Sequence, residues 1–518
     1  MMITEQATPL LAWLRDYAQS SVNSLLWDER RCIPPALVLD FGNRGLLGLM
    51  VEPRHGGLGL DARSTAQLLQ QLAAIDLSLA IFVGIHNLLG IRPLLQFGQS
   101  SLQAELLPLL ASGRSLGALA LTERGAGSNP HQIATQAVWD GANFVVSGDK
   151  IWIGNGSWAG AINVFARCPP TPERRRGMLA FVARPGMKGF RHGPEALTMG
   201  LRAMVQSELS LCELRVPDDC ILGEAGSGFA VAEDAFGEAR LGLAACSLGC
   251  IQRALQLMLR YSSKRKVATG LLGHNASVLR RMSELTMAAE CLDALLDAAL
   301  DVRIARGQLP WALSLVCKAV GPELAWKAAD DLVQVLGGRG YIETNIASQM
   351  FRDVRILRIF EGATETLHYH LGSSLAAGLL DPAALLFEYF SESPAGPWAA
   401  AALDEVTALS AESPSPLLSQ SIALAHGGIF SAACIWAAMH RRCARSSSEP
   451  ARRALAWAQA NAQDVKRRAV GDVLQAPSLD APLLGAVVSD YEQSIGDIEQ
   501  QLCGVDLSLD PLLRRRAA

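Results

Sequence analysis

Apolar residues recur at helical spacing up to about residue 117. They give way to short alternating β segments between Gly117 and Val216, then return to helical spacing beyond Gly228. A chain whose period switches twice reads as a helical unit, a β unit and a second helical unit in succession. Segments 9–19, 34–42, 62–76 and 102–112, with Asp61 and Ser101 placed as N-caps, mark an N-terminal helical domain over 1–117. Segments 119–121, 143–147, 162–166, 178–183 and 208–216, parted by Gly, Pro and Asp, mark a central β domain over 118–225. A barrel or sandwich is expected there rather than a parallel sheet. Long Ala- and Leu-rich stretches at 229–263, 275–307, 310–336 and from 365 onward predict an antiparallel four-helix bundle over 226–379. The fold class is therefore α+β. Residues 380–518 add helical stretches at 397–409, 415–442, 451–473 and 482–502, broken by Ser/Pro-rich loops, and are expected to pack as an additional helical region.

Composition narrows the function. Half of the 518 residues are hydrophobic, enough for a large core, and a net charge of −4 supplies no concentrated basic surface for nucleic acid. The basic runs at 174–176 and 514–516 read as a loop and a tail. Eleven cysteines without a CxxC pair indicate neither a disulfide framework nor a zinc site, and fit a reducing compartment. The first residues carry acid and lack a basic segment leading into an apolar core, so no secretory signal is read and a cytoplasmic protein is expected. Apolar runs at 77–95 and 422–439 contain His86, Asn87, Arg92 and His426, which favours buried helices over membrane spans and leaves an interfacial role for the second open.

One stretch suggests chemistry. Between Arg352 and Glu365, a basic run interleaved with apolar residues ends in Phe360, Glu361 and Gly362, putting a carboxylate before a residue that lets another molecule approach closely. Glu361 is the candidate base. Leu121, Thr122, Glu123, Gly125, Ala126, Gly127 and Ser128 combine hydroxyls with backbone freedom, as a loop offering its N–H groups to a ligand would. Trp152 and Ile153 precede Gly154 and Gly156, a plausible wall for a flat cofactor. Gln334, Gly337, Gly338, Gly340 and Tyr341 end a helix in glycines. Tyr261 and Arg265 stand near another helix end, where cations oppose the macrodipole or meet a pyrophosphate. The Gly-rich run at 53–60 reads as a turn. No GxGxxG follows a strand.

In this order, and with Val216-Pro217, Leu222-Gly223-Glu224, Arg240 and Arg352-Asp353, these motifs resemble the acyl-CoA dehydrogenase family across residues 1 to about 375. The resemblance implies FAD held between the β domain and the bundle. It places Leu119, Leu121, Thr122, Gly127, Ser128, Trp152, Ile153 and Gly154 around the isoalloxazine. Ala363, Thr364 and Glu365 join the cofactor set. Arg265, Lys266, Val267, Gln334, Gly337 and Gly338 are expected on FAD across a subunit boundary, hence a homodimer or homotetramer. Ser128, Arg240 and Gly362 fall on the substrate side, and Glu361 on the catalytic base. The sequence departs from the family at Asn129 (usually Asp), Gly154 (usually Thr), Ala268-Thr269 (usually Phe) and Ala363 (usually Thr).

The reaction so implied is α,β-dehydrogenation of an acyl thioester, carried by CoA or a carrier protein, to the trans-2-enoyl thioester. Glu361 takes the Cα proton, a hydride passes to flavin N5, and an electron-transfer flavoprotein is the expected acceptor. An acyl-CoA oxidase using oxygen, and a non-catalytic relative acting as a binding or scaffold protein, are the alternatives. No metal site is expected.

Overall fold

A computed structural model describes residues 3–170, 177–409, 415–446, 448–475 and 480–496. The basic runs at 174–176 and 514–516 lie outside these residues. Seven helices come first: α1 (Thr8–Ser21), α2 (Ser24–Arg30), α3 (Pro35–Asn43), α4 (Ala62–Ile75), α5 (Leu77–Gly84), α6 (Arg92–Phe97) and α7 (Ser100–Ala111). Asp61 caps α4 by accepting from the Ser64 N–H at 2.7 Å, as its position before the apolar run predicts. Ser101 is not a cap. Helix α7 begins at Ser100 after Gln99, with no side-chain bond to its first N–H groups.

The apolar run from residue 77 is α5, a π-helical segment over Ile85–Ile91, and α6. The π segment is pinned by polar side chains in the middle of a hydrophobic stretch. The Asn87 amide donates to the Leu46 and Val83 carbonyls and accepts from the Leu49 N–H. His86 Nδ1 accepts from the Gly117 N–H at 2.9 Å, so its proton sits on Nε2, which lies 2.8 Å from the Leu47 carbonyl. Burial pushes this imidazole down to about 4 and keeps it neutral. The segment also abuts the first strand closely, since a Cβ on Gly90 would stand 2.6 Å from Gly117 Cα.

Strands β1 (Leu116–Ala120), β2 (Gln136–Trp139), β3 (Phe144–Gly154), β4 (Ala159–Cys168), β5 (Gly177–Ala183), β6 (Phe190–Glu195) and β7 (Gln206–Val216) form one seven-stranded sheet. Its order is β1-β4-β2-β3-β7-β6, with β5 also on β4. Most pairs are antiparallel, but β1 and β2 each run parallel to β4. Strands β2 and β6 had no counterpart in the sequence reading, because β2 is only four residues long and β6 contains Pro194 and a glycine. A two-stranded hairpin, β8 (Lys266–Val267) and β9 (Gly270–Leu271), follows α8 (Gly228–Ser262).

The bundle comprises α8, α9 (Ala276–Arg306), α10 (Trp311–Leu336), the short α11 (Gly338–Tyr341), α12 (Ile346–Arg355) and α13 (Thr364–Ala376). The Arg352-Asp353 pair is structural. Arg352 pairs with Asp28 of α2, and Asp353 accepts from the Leu201 N–H at 2.6 Å, tying the bundle to both preceding units.

The extension contributes α14 (Pro382–Phe390), α15 (Ala395–Ala408), α16 (Pro416–Arg445), α17 (Glu449–Leu474) and α18 (Ala481–Ile495). Helix α16 packs on α13 backbone to backbone: a Cβ on Gly372 would stand 1.7 Å from the Ala423 carbonyl oxygen, and one on Gly427 2.1 Å from that of His368. Arg442 of α16 donates to Asp293 of α9 at 2.6 Å. Among the described residues, three helical runs are long and apolar enough to cross a membrane by length and composition: 77–97, α8 and α16. Each is mostly buried within the protein.

Candidate active site

The loop that carries Glu361 is shaped by its backbone. Helix α12 ends in a tight turn over Ile356–Arg358, and after Phe360 the chain reverses through Glu361 (φ 56°) and Gly362 (φ 104°) before α13 begins at Thr364. Glycine suits position 362, because side chains rarely adopt a φ of 104° and a Cβ there would also press on Leu367, 2.5 Å from its Cδ2. Glu361 is not glycine, so its left-handed conformation costs about 1–2 kcal/mol and needs support from its surroundings. That support comes from two cations on neighbouring helices. Arg240 Nε of α8 donates to the Glu361 carbonyl at 3.2 Å, and Lys318 Nζ of α10 donates to the Gly362 carbonyl. Arg240 is held in turn by Ser314 Oγ at 3.5 Å and by the Phe236 ring, 5.8 Å from its guanidinium carbon.

With both cations bonded to carbonyls, the carboxylate is left free. Glu361 Oε2 is buried and accepts no hydrogen bond. Glu361 and Phe360 line an apolar cleft walled by Ile81, Ile85, Leu88, Leu89 and Leu243 among others. Burial pushes the Glu361 carboxyl up to about 7 against the positive charges of Arg240 and Lys318, which pull it down.

The loop after β1 is braced from below. Glu123, 7% exposed, accepts from Lys150 Nζ at 2.7 Å, from Thr135 Oγ1 at 2.6 Å and from the Ala134 N–H at 2.5 Å. Lys150, fully buried, also donates to the Leu121 carbonyl at 3.1 Å. Burial opposes ionisation of Glu123, but these bonds outweigh it and hold the carboxyl below its usual range. The Ile151 N–H donates to the Thr122 carbonyl at 3.0 Å, which sets Trp152 beside the loop. Trp152 is 60% exposed and left-handed (φ 56°), while Ile153 is buried. Open space surrounds the places where a Cβ would stand on Gly125 and Gly127. Leu119 is half-buried against Leu89 and Ala239 of the cleft, and Ser128 and Asn129 are exposed. Gly154 packs on Ile85, whose Cδ1 lies 2.4 Å from where a Cβ would be.

Other predicted residues stand elsewhere on the chain. Arg265, Lys266 and Val267 belong to the exposed β8–β9 hairpin region, and Gln334, Gly337 and Gly338 are exposed where α10 ends. Among the described residues no hydrogen bond or ion pair joins either group to the Glu361 loop or to the loop at 121–128. Ala363 is the N-cap of α13, Thr364 is buried with its hydroxyl unpartnered, and Glu365 is exposed in the first turn. Sequence reasoning missed Lys318 and Ser314. A single lysine inside the apolar run of α10 was the available signal, because a cation on a core face has a partner to serve. No cluster of three metal-type ligands occurs among the described residues.

Three family models match in sequence order: the acyl-CoA dehydrogenase N-terminal domain over residues 4–114, the middle domain over 118–213 and the C-terminal domain over 226–375. A very long-chain specific mitochondrial acyl-CoA dehydrogenase of Macaca fascicularis is 34% identical over 333 residues, covering 62% of this chain and 50% of its own. The chain thus spans about half the length of that relative. Butyryl-CoA dehydrogenase from Megasphaera elsdenii superposes with a TM-score of 0.68 at 27% identity, covering 72% of this chain and 99% of its own. An acyl-CoA dehydrogenase from Bacillus anthracis, complexed with FAD, shares the fold over 94% of this chain and 91% of its own, with a TM-score of 0.77 at 22% identity.

Proposed function

The chain belongs to the acyl-CoA dehydrogenase family, and from that premise we propose that it is an FAD-dependent oxidoreductase acting on CH–CH groups, dehydrogenating an acyl thioester to the trans-2-enoyl thioester. The observation that carries this reading is the Glu361 carboxylate, with a buried, unpartnered oxygen on an apolar cleft.

The residues present fit FAD. An exposed aromatic plane, Trp152, stands beside a loop whose Gly125 and Gly127 leave room for a close approach, and the unpartnered Thr364 hydroxyl lies just beyond the base loop. When bound, FAD supplies the two-electron sink for the hydrogen leaving Cβ. The chain's own part is to bind, aim and deprotonate. The apolar walls take the acyl chain and exclude water, which sharpens the electrostatics around the thioester. Glu361 receives the Cα proton on its free oxygen. A carboxylate held near 7 is more basic than an ordinary glutamate yet substantially ionised at neutral pH. Arg240, expected on the substrate side, serves in this structure by fixing the Glu361 carbonyl.

The finer assignments form part of the same proposal. The thioester is carried by CoA or by a carrier protein, and an electron-transfer flavoprotein takes the electrons. The exposed hairpin at Arg265 and the glycine turn at Gly337 complete the cofactor site of a neighbouring subunit. A reducing, cytoplasmic setting agrees with the free cysteines of the described residues.

Anaerobic titration of the holoprotein with CoA and carrier-protein thioesters of graded chain length tests the reading. Flavin bleaching by at least one series is expected, with Glu361→Gln binding the same thioester and slowing reduction by about 10³-fold or more. Absence of bleaching with every thioester, or near-normal reduction in Glu361→Gln, would overturn it.

A further inference from the structure

Lys318 lies in the middle of α10 with its side chain fully buried. Among the described residues it forms no ion pair with a carboxylate, and its ammonium donates to the Gly362 carbonyl. An ammonium buried without an acidic partner is costly, so its place at the base loop calls for an explanation. The adjacent carbonyl, that of Glu361, is taken by Arg240 from α8. Two successive carbonyls of a left-handed turn are therefore each held by a cation from a different helix.

We propose that Lys318 is a positioning residue of the active site. Through the Gly362 carbonyl it holds the Glu361–Gly362 turn so that the free carboxylate oxygen points into the acyl cleft, while its charge keeps that carboxylate ionisable in apolar surroundings. This rests on the reading of Glu361 as the base. The economy of the arrangement lies in where the cation bonds. An ammonium on the carboxylate itself would pair it and blunt it as a base, whereas one on the next carbonyl stabilises the charge and leaves the lone pair free.

The charged groups around this point are few. Helix α8 presents Arg240, with Glu233 near it; α10 presents Lys318 and Glu323, the latter bonded by Arg358 at 2.6 Å; and α13 presents Glu365. His368, also on α13, is kept toward its neutral form by burial. Lys318 and Arg240 are the two cations that bear on Glu361.

The test compares Lys318→Met, Lys318→Gln and Lys318→Arg holoproteins by flavin content, thermal unfolding and the pH profile of kcat/KM for thioester-driven flavin reduction. The wild-type profile rises with the ionisation of Glu361. Removing the positive charge is expected to move that rise to higher pH by about one unit or more, which lowers kcat/KM about tenfold or more on the acid side. Lys318→Arg should bring the rise back toward its original position. Should Lys318→Met fail to fold, Lys318→Gln carries the same comparison with a neutral head that still donates. An unmoved profile in the neutral variants, or a loss that is the same at every pH and is not recovered by arginine, overturns the proposal. Glu361→Gln separates the two levels. If that variant reduces its flavin normally, the base reading itself fails; if it does not, and the Lys318 profile stays put, only the role of Lys318 falls.

Discussion

Ile85 Cδ1 occupies the space in which a side chain on Gly154 would begin, 2.4 Å from the position of the missing Cβ. The first residue lines the apolar cleft and the second ends the strand that carries Trp152, so a substitution beside Trp152 reaches the wall of the cleft. Gly154→Thr, which installs the residue usual in the family, is expected to push Ile85 toward the cleft and lower kcat/KM for longer acyl chains more than for short ones. Ile85→Val in the same protein should restore the longer chains. A chain-length series on the single and double variants checks this, and equal losses at all lengths would dissociate the two positions.

The pH dependence follows from the sign of the Glu361 shift. Its folded-state carboxyl is raised from 4.5 to about 7, so kcat/KM should climb as pH passes through about 7 and level off above it. For stability the sign reverses. Between the unfolded value and about 7 the folded protein binds the extra proton, so this group's contribution is present at low pH and is lost as pH rises through 7. A profile with its acid limb near 4.5 would show that Glu361 is not held as described.

Lys150→Met should leave the Glu123 carboxylate buried without its cation. The expected cost is about 3–5 kcal/mol in denaturant unfolding, together with loss of flavin, because Lys150 also anchors the Leu121 carbonyl at the root of the loop. Unfolding curves and the visible flavin spectrum report the two effects. A stable variant that is merely colourless would limit the pair to organising the loop.

For Arg265→Ala, flavin and subunit contact should weaken together if the exposed hairpin meets a cofactor on another chain. Size-exclusion with light scattering, run beside the flavin-to-protein ratio, reads both. A variant fully yellow and fully assembled removes Arg265 from the site.

Truncation after Leu380 should uncover the face of α13 that α16 covers at Gly372 and Gly427. Aggregation or a changed oligomeric state is expected, with any soluble fraction still reducing its flavin. Gly427→Leu, which forces the helices apart without shortening the chain, should lower the melting temperature by several degrees. Soluble truncated protein of unchanged size that fails only on carrier-bound or membrane-presented thioesters would instead make the extension a docking module.

Local chemistry determined much of this protein. Period and turn residues locate α1, α4, α8, α9 and α10 to within a few residues, because an amphipathic helix of a dozen residues or more writes its face into the sequence. A carboxylate beside a bend, Glu361 before Gly362, is a local pattern, but the order of the other motifs along the chain is what singles it out as a candidate. The short strands β2 and β6 were not, since their pairing is non-local and their residues have weak β preference. Only the tertiary structure decided what Glu361 is. Removal from water raises its carboxyl to about 7 against two cations that pull it down, and those cations reach its loop from 121 and 43 residues away in the chain. Spacing cannot reveal that Lys318 bonds the carbonyl after the base rather than the carboxylate, or that Ile85 fills the space left at Gly154. Those are facts of packing, fixed when the helices of the bundle and the edge of the sheet close on one another.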